Sequence, residues 1–421
     1  MSKKFLKICC IFLVLFLSRQ AASNAGSVDG ALTLNQLLKI AYEKNPQMIE
    51  AKKMREVQKG KSFRKKMLEN PQAEISYGGL KKNEDGKRKT NMDSFAVKQP
   101  LGAFGTKFID GQIASTEITI ADHHVDLVWS RVCAATARLY ARILSWQKAV
   151  EITRNNLDTT RQFFTLVENR FHSGDALKSE LTRARIEVFQ AENDVLVKQK
   201  DLNILKGELN LVLGRGLEEP LTLDDPTRDE EFSQKYESLL VKAVNNRPDV
   251  KIAEGELRIA GKNVTHSYLE TIFPDITVGF ERTMEDFEND SSILLEFSYP
   301  LWGFNAGEVK EARAQKEKQS ATLDALKQKV SLDVYTAFAQ AEIAAKQMDI
   351  QRKAIEEANE LLSQITSNYQ AGEISFNVFL DHLKIVQQIR LAYWDALSQY
   401  REKLAELQMA AGETAQPEEI Q

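Results

Sequence analysis

Val125, Val128, Trp129, Val132, Leu139, Ile143 and Trp146 recur at spacings of three and four, the signature of a helix that buries one stripe. They lie in one of two long windows, Leu101 to Glu219 and Leu301 to Gln416, that exclude all nine prolines of the chain. Both windows are rich in Ala, Leu, Glu, Gln, Lys and Arg, the strong helix formers, and proline inside a helix costs about 3 kcal/mol. Each window is interrupted near its middle by a glycine in a polar setting, Ser173-Gly174-Asp175 and Ala371-Gly372-Glu373. These read as tips between antiparallel helices. The ascending segments, Gly102 to Arg170 and Gly303 to Tyr369, are roughly 100 Å long at 1.5 Å per residue. The descending ones, Asp175 to Leu213 and Glu373 to Ala411, reach only about 60 Å. Shorter opening helices, Thr33 to Glu69 and Ser233 to Ser267, make up the difference if they stack end to end with them.

Ahead of each long window the period changes from 3.6 to 2. Ile276, Val278 and Phe280 alternate with Thr277, Gly279 and Glu281; after a polar loop, Ile293, Leu295, Phe297 and Tyr299 alternate with Leu294, Glu296 and Ser298. Ala73, Ile75 and Tyr77, then Phe95 and Val97 after a charged loop from Lys81 to Lys89, repeat the pattern more weakly. The expectation is two β-hairpins, at about 71–101 and 274–301. The whole arrangement is duplicated: Leu37, Leu38, Ala41, Asn45, Pro46 and Ala51 recur at a constant offset of 202 as Leu239, Leu240, Ala243, Arg247, Pro248 and Ala253. The expected layout is a first repeat over 26–226, a second over 227–412 and a disordered tail over 413–421.

Lys3, Lys4 and Lys7 precede an apolar run from Ile8 to Leu17, and Ser23-Asn24-Ala25 offers a small-residue cleavage site, so residues 1–25 read as an export signal. No stretch approaches the roughly 20 apolar residues of a membrane-spanning helix. Strands of about 9–11 residues with one apolar face do suit a membrane barrel. Four strands cannot close one, and open edges in lipid cost several kcal/mol per unsatisfied backbone group, so other chains must complete it. Three chains supply twelve strands. With 56 basic and 60 acidic residues the chain is mildly acidic, which argues against nucleic-acid binding. No Gly-rich phosphate loop, paired-Cys site, H-E-x-x-H or G-x-S-x-G element occurs, so neither catalysis nor a cofactor is expected. The five histidines are scattered with no Cys or Met cluster, so no metal site is expected either.

Asn45-Pro46 and Arg247-Pro248, the strand exits Gln99-Pro100-Leu101 and Tyr299-Pro300-Leu301, and the tips Arg170-Phe171-His172-Ser173-Gly174 and Tyr369-Gln370-Ala371-Gly372 together resemble the TolC or outer membrane factor family over essentially the whole mature chain. The run Leu301 to Arg313 is more similar to its heavy-metal branch, the CzcC type. The resemblance implies a mainly α fold with a small β part, assembled as a homotrimer with a 12-stranded β-barrel in outer-membrane lipid on an α-helical barrel in the periplasm. It implies a passive efflux or secretion duct served by a periplasmic adaptor and an inner-membrane pump of the RND type. An acidic family position at the tunnel constriction falls on Asp381, while a second falls on Val378. Glu180, six residues after Gly174, is a further constriction candidate, although an ordinary solvated helix charge is the plainer reading. Arg170, Gly174, Tyr369 and Gly372 are the candidates for adaptor contact at the tips. Phe104, Tyr299 and Trp302 fall at strand ends, where they either form an interfacial belt or pack the barrel-to-helix junction. The alternative class is a soluble periplasmic scaffold or adaptor of helical hairpins, which would not need two amphipathic strand pairs.

Overall fold

A computed structural model describes residues 31–77, 81–82, 88–89, 92–224, 232–285, 288–299, 301–302, 304–371 and 373–413. The export signal expected over 1–25 and most of the tail lie outside the described residues. The first half of the chain runs through helices α1 (Leu34–Lys44) and α2 (Pro46–Lys66), strands β1 (Gln72–Tyr77), β2 (Lys81–Lys82), β3 (Arg88–Lys89) and β4 (Met92–Ala103), then helices α3 (Thr106–His172) and α4 (Lys178–Val212). The second half runs through α5 (Tyr236–Asn246), α6 (Pro248–Ile272), β5 (Asp275–Glu285), β6 (Glu288–Ser298), α7 (Ala306–Gln370) and α8 (Phe376–Ala410). The molecule is mainly helical with a small antiparallel sheet, the fold class expected from the periodicity.

Each opening helix divides in two, where the sequence pattern suggested one. The break falls before Pro46 and before Pro248, because proline disfavours helical backbone in the residue preceding it. Asn45 and Arg247 take the freed position with the same backbone angles, φ −59° and ψ 127° or 128°. The Asn45 amide donates to the Val212 carbonyl at the end of α4, and its side-chain oxygen accepts from the Met48 N–H at 3.0 Å. Arg247 does the same job with charge: it donates to both oxygens of Asp249, at 3.1 and 2.7 Å, and to Asp333 on α7 and the Ala410 carbonyl of α8, at 3.3 and 3.4 Å. Burial alone would raise the Asp249 pKa, but the Arg247 guanidinium outweighs it and holds the carboxyl below its ordinary value. The short opening helices thus meet the ends of the descending helices, and both reach full length beside the long ones.

Two cores sit at these joints. Leu37, Leu38, Ala41 and Met48 pack on Trp129, Val132, Leu139 and Ile143 of α3 and on Leu202, Leu205 and Leu209 of α4. Leu239, Ala243, Val250 and Ala253 pack on Leu323, Val330, Val334 and Ala341 of α7 and on Leu407 and Ala410 of α8. The helices form a wall: α2, α3, α6 and α7 neighbour one another in that order on the strand side of the joints, and α4, α3, α8 and α7 on the other side.

The sheet runs β1-β4-β5-β6, so β4 and β5 join the two hairpins and β1 and β6 are its edges. Register assigns Ile75, Phe95, Val97, Ile276, Val278, Phe280, Ile293, Leu295 and Phe297 to one face. That face is bare: Ile293 is 82% exposed and Phe297 61%. Glu74, Lys98, Glu281, Ser292 and Glu296 share the other face. The two-residue ladder β2–β3 lies between β1 and β4 in the chain, with Lys81 opposite Lys89 and Lys82 opposite Arg88.

Candidate functional site

The tips form one packed unit at the end of the wall farthest from the sheet. At the first, Gly174 adopts φ +87°, a left-handed conformation that closes α3 with the Asp175 N–H donating to the Arg170 carbonyl at 2.8 Å. The Ser173 hydroxyl bonds the Arg170 carbonyl and the Asp175 carboxylate, at 3.0 and 2.9 Å, and Arg170 itself reaches the Asp175 carbonyl at 3.4 Å. Arg170 and Gly174 are both exposed, open to an end-on partner. At the second tip the Glu373 N–H donates to the Asn368 carbonyl at 2.9 Å; Gly372 lies outside the described residues.

Tyr369 has a different setting from its fellow candidates. Its ring is 8% exposed and lies 5.0 Å from both Phe163 and Phe379, inside a core with Val167, Ala184, Ile365, Leu380 and Leu383. All four helices contribute to this core, so the two hairpin ends are held together and Tyr369 supports the tip from within. Its hydroxyl is buried without a hydrogen-bond partner.

Asp381 follows Leu380 on α8 and is exposed, so it stands on the side of the helix away from that core. Val378, three residues before it, is also exposed at 40%. Glu180 occupies the first turn of α4 and is half-buried, where a carboxylate complements the helix N-terminus. A further link joins the two hairpins: the Lys384 ammonium of α8 lies 2.9 Å from Glu187 of α4. Sequence reasoning missed this pair and the Phe163–Tyr369–Phe379 cluster. Phe163 and Phe379 carry only the generic three-four spacing of a buried stripe, and Lys384 and Glu187 are 197 positions apart.

At the sheet end, Phe104 packs edge-on against Phe273 at 5.4 Å, and the Tyr299 hydroxyl donates to the Thr271 carbonyl at 3.2 Å. Tyr299 thus ties strand to helix, whereas Phe104 and Trp302 remain 71% and 96% exposed. No helix among the described residues is long and apolar enough to cross a membrane, and none of the described His, Cys, Asp and Glu residues form a group of three or more able to hold a metal ion.

Residues 239–413 match the outer membrane efflux protein family. No curated protein matches the chain. Among solved structures, the CmeC outer membrane channel of Campylobacter jejuni superposes with a TM-score of 0.75 at 13% identity, covering 91% of this chain and 87% of that one. The open MtrE outer membrane channel of Neisseria gonorrhoeae gives 0.72 at 19% identity over 90% and 88%, and the outer membrane protein VceC of Vibrio cholerae gives 0.71 at 15% identity over 90% and 96%. These likenesses establish a shared fold along nearly the full length, from the sheet to the helical tips. The family match covers residues 239–413 in the second half, whose pattern the first half repeats, and the fold along the whole chain is the one these solved outer membrane channels share.

Proposed function

We propose that three copies of this chain close a twelve-stranded barrel through the outer membrane and a helical tunnel below it in the periplasm, forming a passive duct to the exterior. The observation that carries this reading is a four-stranded sheet with one bare apolar face and two edge strands, β1 and β6, that pair on one side only among the described residues. Lipid suits the face, and further strands suit the edges, since lipid satisfies no backbone hydrogen bonds. The helical edges support the same assembly. Ile49, Met54 and Val57 on α2, Phe189, Leu196, Ile204 and Leu211 on α4, and Leu332, Ile343 and Ile350 on α7 are large, apolar and exposed. They lie on the outermost helices of the wall, where the next copies would cover them.

In this duct, Asp381 lines the constriction near the tips, as three symmetry copies of one carboxylate, with Glu180 contributing nearby. Arg170, Gly174 and the turn at Gly372 meet a periplasmic adaptor end on, with Tyr369 holding the tips in shape, and an inner-membrane pump of the RND type supplies the cargo. The test separates inner and outer membranes of expressing cells, extracts the protein in mild detergent and measures its mass by light scattering. A trimer in the outer-membrane fraction is expected. A monomer or dimer in the soluble periplasmic fraction would overturn the duct and favour a soluble scaffold.

A further inference from the structure

The polar face of the sheet has an unequal charge pattern. Among the described residues whose side chains are placed, register puts five carboxylates there, those of Glu74, Asp275, Glu281, Asp290 and Glu296, and a single cation, Lys98 of β4. The Lys98 ammonium lies 3.2 Å from Glu74 on β1 and 2.8 Å from Glu296 on β6, so one side chain reaches toward both edges of the sheet. Gly279 of β5 lies between Lys98 and β6, and its missing side chain leaves that path open. A Cβ there would come within 3.0 Å of the Val97 carbonyl oxygen and 3.3 Å of the Lys98 stem. The lysine side chain is 24% exposed, against 60% and 50% for its two partners.

We infer that Lys98 is a specificity-determining residue of the duct: held across Gly279 between Glu74 and Glu296, it offsets carboxylate charge on the barrel wall and sets how strongly the lumen prefers cations. The inference rests on the duct reading, because the polar face meets water inside the barrel only if the apolar face meets lipid. Rings of like-charged side chains bias a pore toward the opposite ion. With threefold symmetry, each carboxylate named becomes a set of three, and Lys98 becomes the one positive set among the described residues whose side chains are placed. Charges in a water-filled lumen are screened beyond a Debye length of about 8 Å at physiological salt, so the bias is strongest in dilute electrolyte.

The test reconstitutes the full-length protein in planar bilayers and reads the reversal potential under a potassium chloride gradient. Lys98→Gln is expected to shift it toward the cation limit, and Glu74→Gln with Glu296→Gln to shift it the other way; both shifts shrink as total salt rises. Lys98→Met, which keeps the apolar stem, stands in if the glutamine variant fails to assemble. A conducting wild-type pore whose reversal potential ignores all these substitutions overturns the role of Lys98 and leaves the duct intact. A wild-type protein that never conducts overturns the duct itself.

Discussion

Gly174 and Gly214 both close helices in left-handed backbone, at φ +87° and +67°, yet their surroundings differ. Nothing lies within 4 Å of a Cβ added at Gly174, whereas one at Gly214 would fall 2.2 Å from the Lys44 carbonyl oxygen at the joint between α1 and α2. Gly174→Ala therefore pays only the left-handed penalty, roughly 1–2 kcal/mol. Gly214→Ala adds a backbone collision and is expected to lose more than about 3 kcal/mol. Thermal melting of the two variants in mild detergent orders them, and equal losses would contradict the packing at the joint. Glu402 on α8 gives a pH-dependent counterpart. Burial raises its pKa, against the pull of Arg142, whose guanidinium lies 3.7 Å away, and of Arg138. A folded-state pKa above the unfolded one means that folding disfavours the ionised form, a cost present at neutral pH and removed as pH falls through the folded value. Glu402→Gln is thus expected to melt higher than the parent at pH 7, with the gain vanishing in acid; a gain that persists in acid would refute the burial argument.

At the scale of the element, the sheet's two faces make opposite demands on one strand. Leu295 and Ser292 both belong to β6, but register turns Leu295 to the apolar face and Ser292 to the polar one. An arginine on the lipid face of a barrel costs about 2–4 kcal/mol at the membrane midplane, while one on the lumen face stays in water. Leu295→Arg is expected to cut the yield of trimer in the outer membrane, and Ser292→Arg to leave it near the parent level, by quantitative immunoblotting of fractionated membranes. The alternation that makes this prediction was legible in the second hairpin and weaker in the first, where β4 runs on through Pro100 with a register shift. The opening helices show the reverse: their periodicity continues across Asn45 and Arg247, and only the prolines that follow announce the breaks.

The whole molecule is a wall with unfinished edges. Along its lower part α4 and α7 are outermost, and each carries exposed apolar residues. Replacing Ile343 and Ile350 together by glutamate on α7 is expected to convert a detergent-solubilised trimer into monomers, read as a threefold drop in mass by light scattering. Retention of the trimer would move the subunit contact elsewhere. The same edges explain why the chain's helices need not pack as a closed bundle: in the proposed assembly each half-made core is completed by the neighbouring copy.

The sequence by itself determined the long helices, the two hairpins ahead of them, the position of the first tip and the amphipathic strands, because each follows from local rules: helix period, strand period, proline exclusion and the conformational freedom of glycine. It also located Asp381 and Arg170 near the tips, since both lie within ten residues of a tip glycine position. Tertiary structure alone decided that Tyr369 supports the tip from within, that Lys384 links α8 to Glu187 of α4, and that Lys98 lies over Gly279 between two edge strands. Those facts depend on which residues meet after the chain has folded back across nearly half its length, and no periodicity within one element encodes the partner it will meet on another.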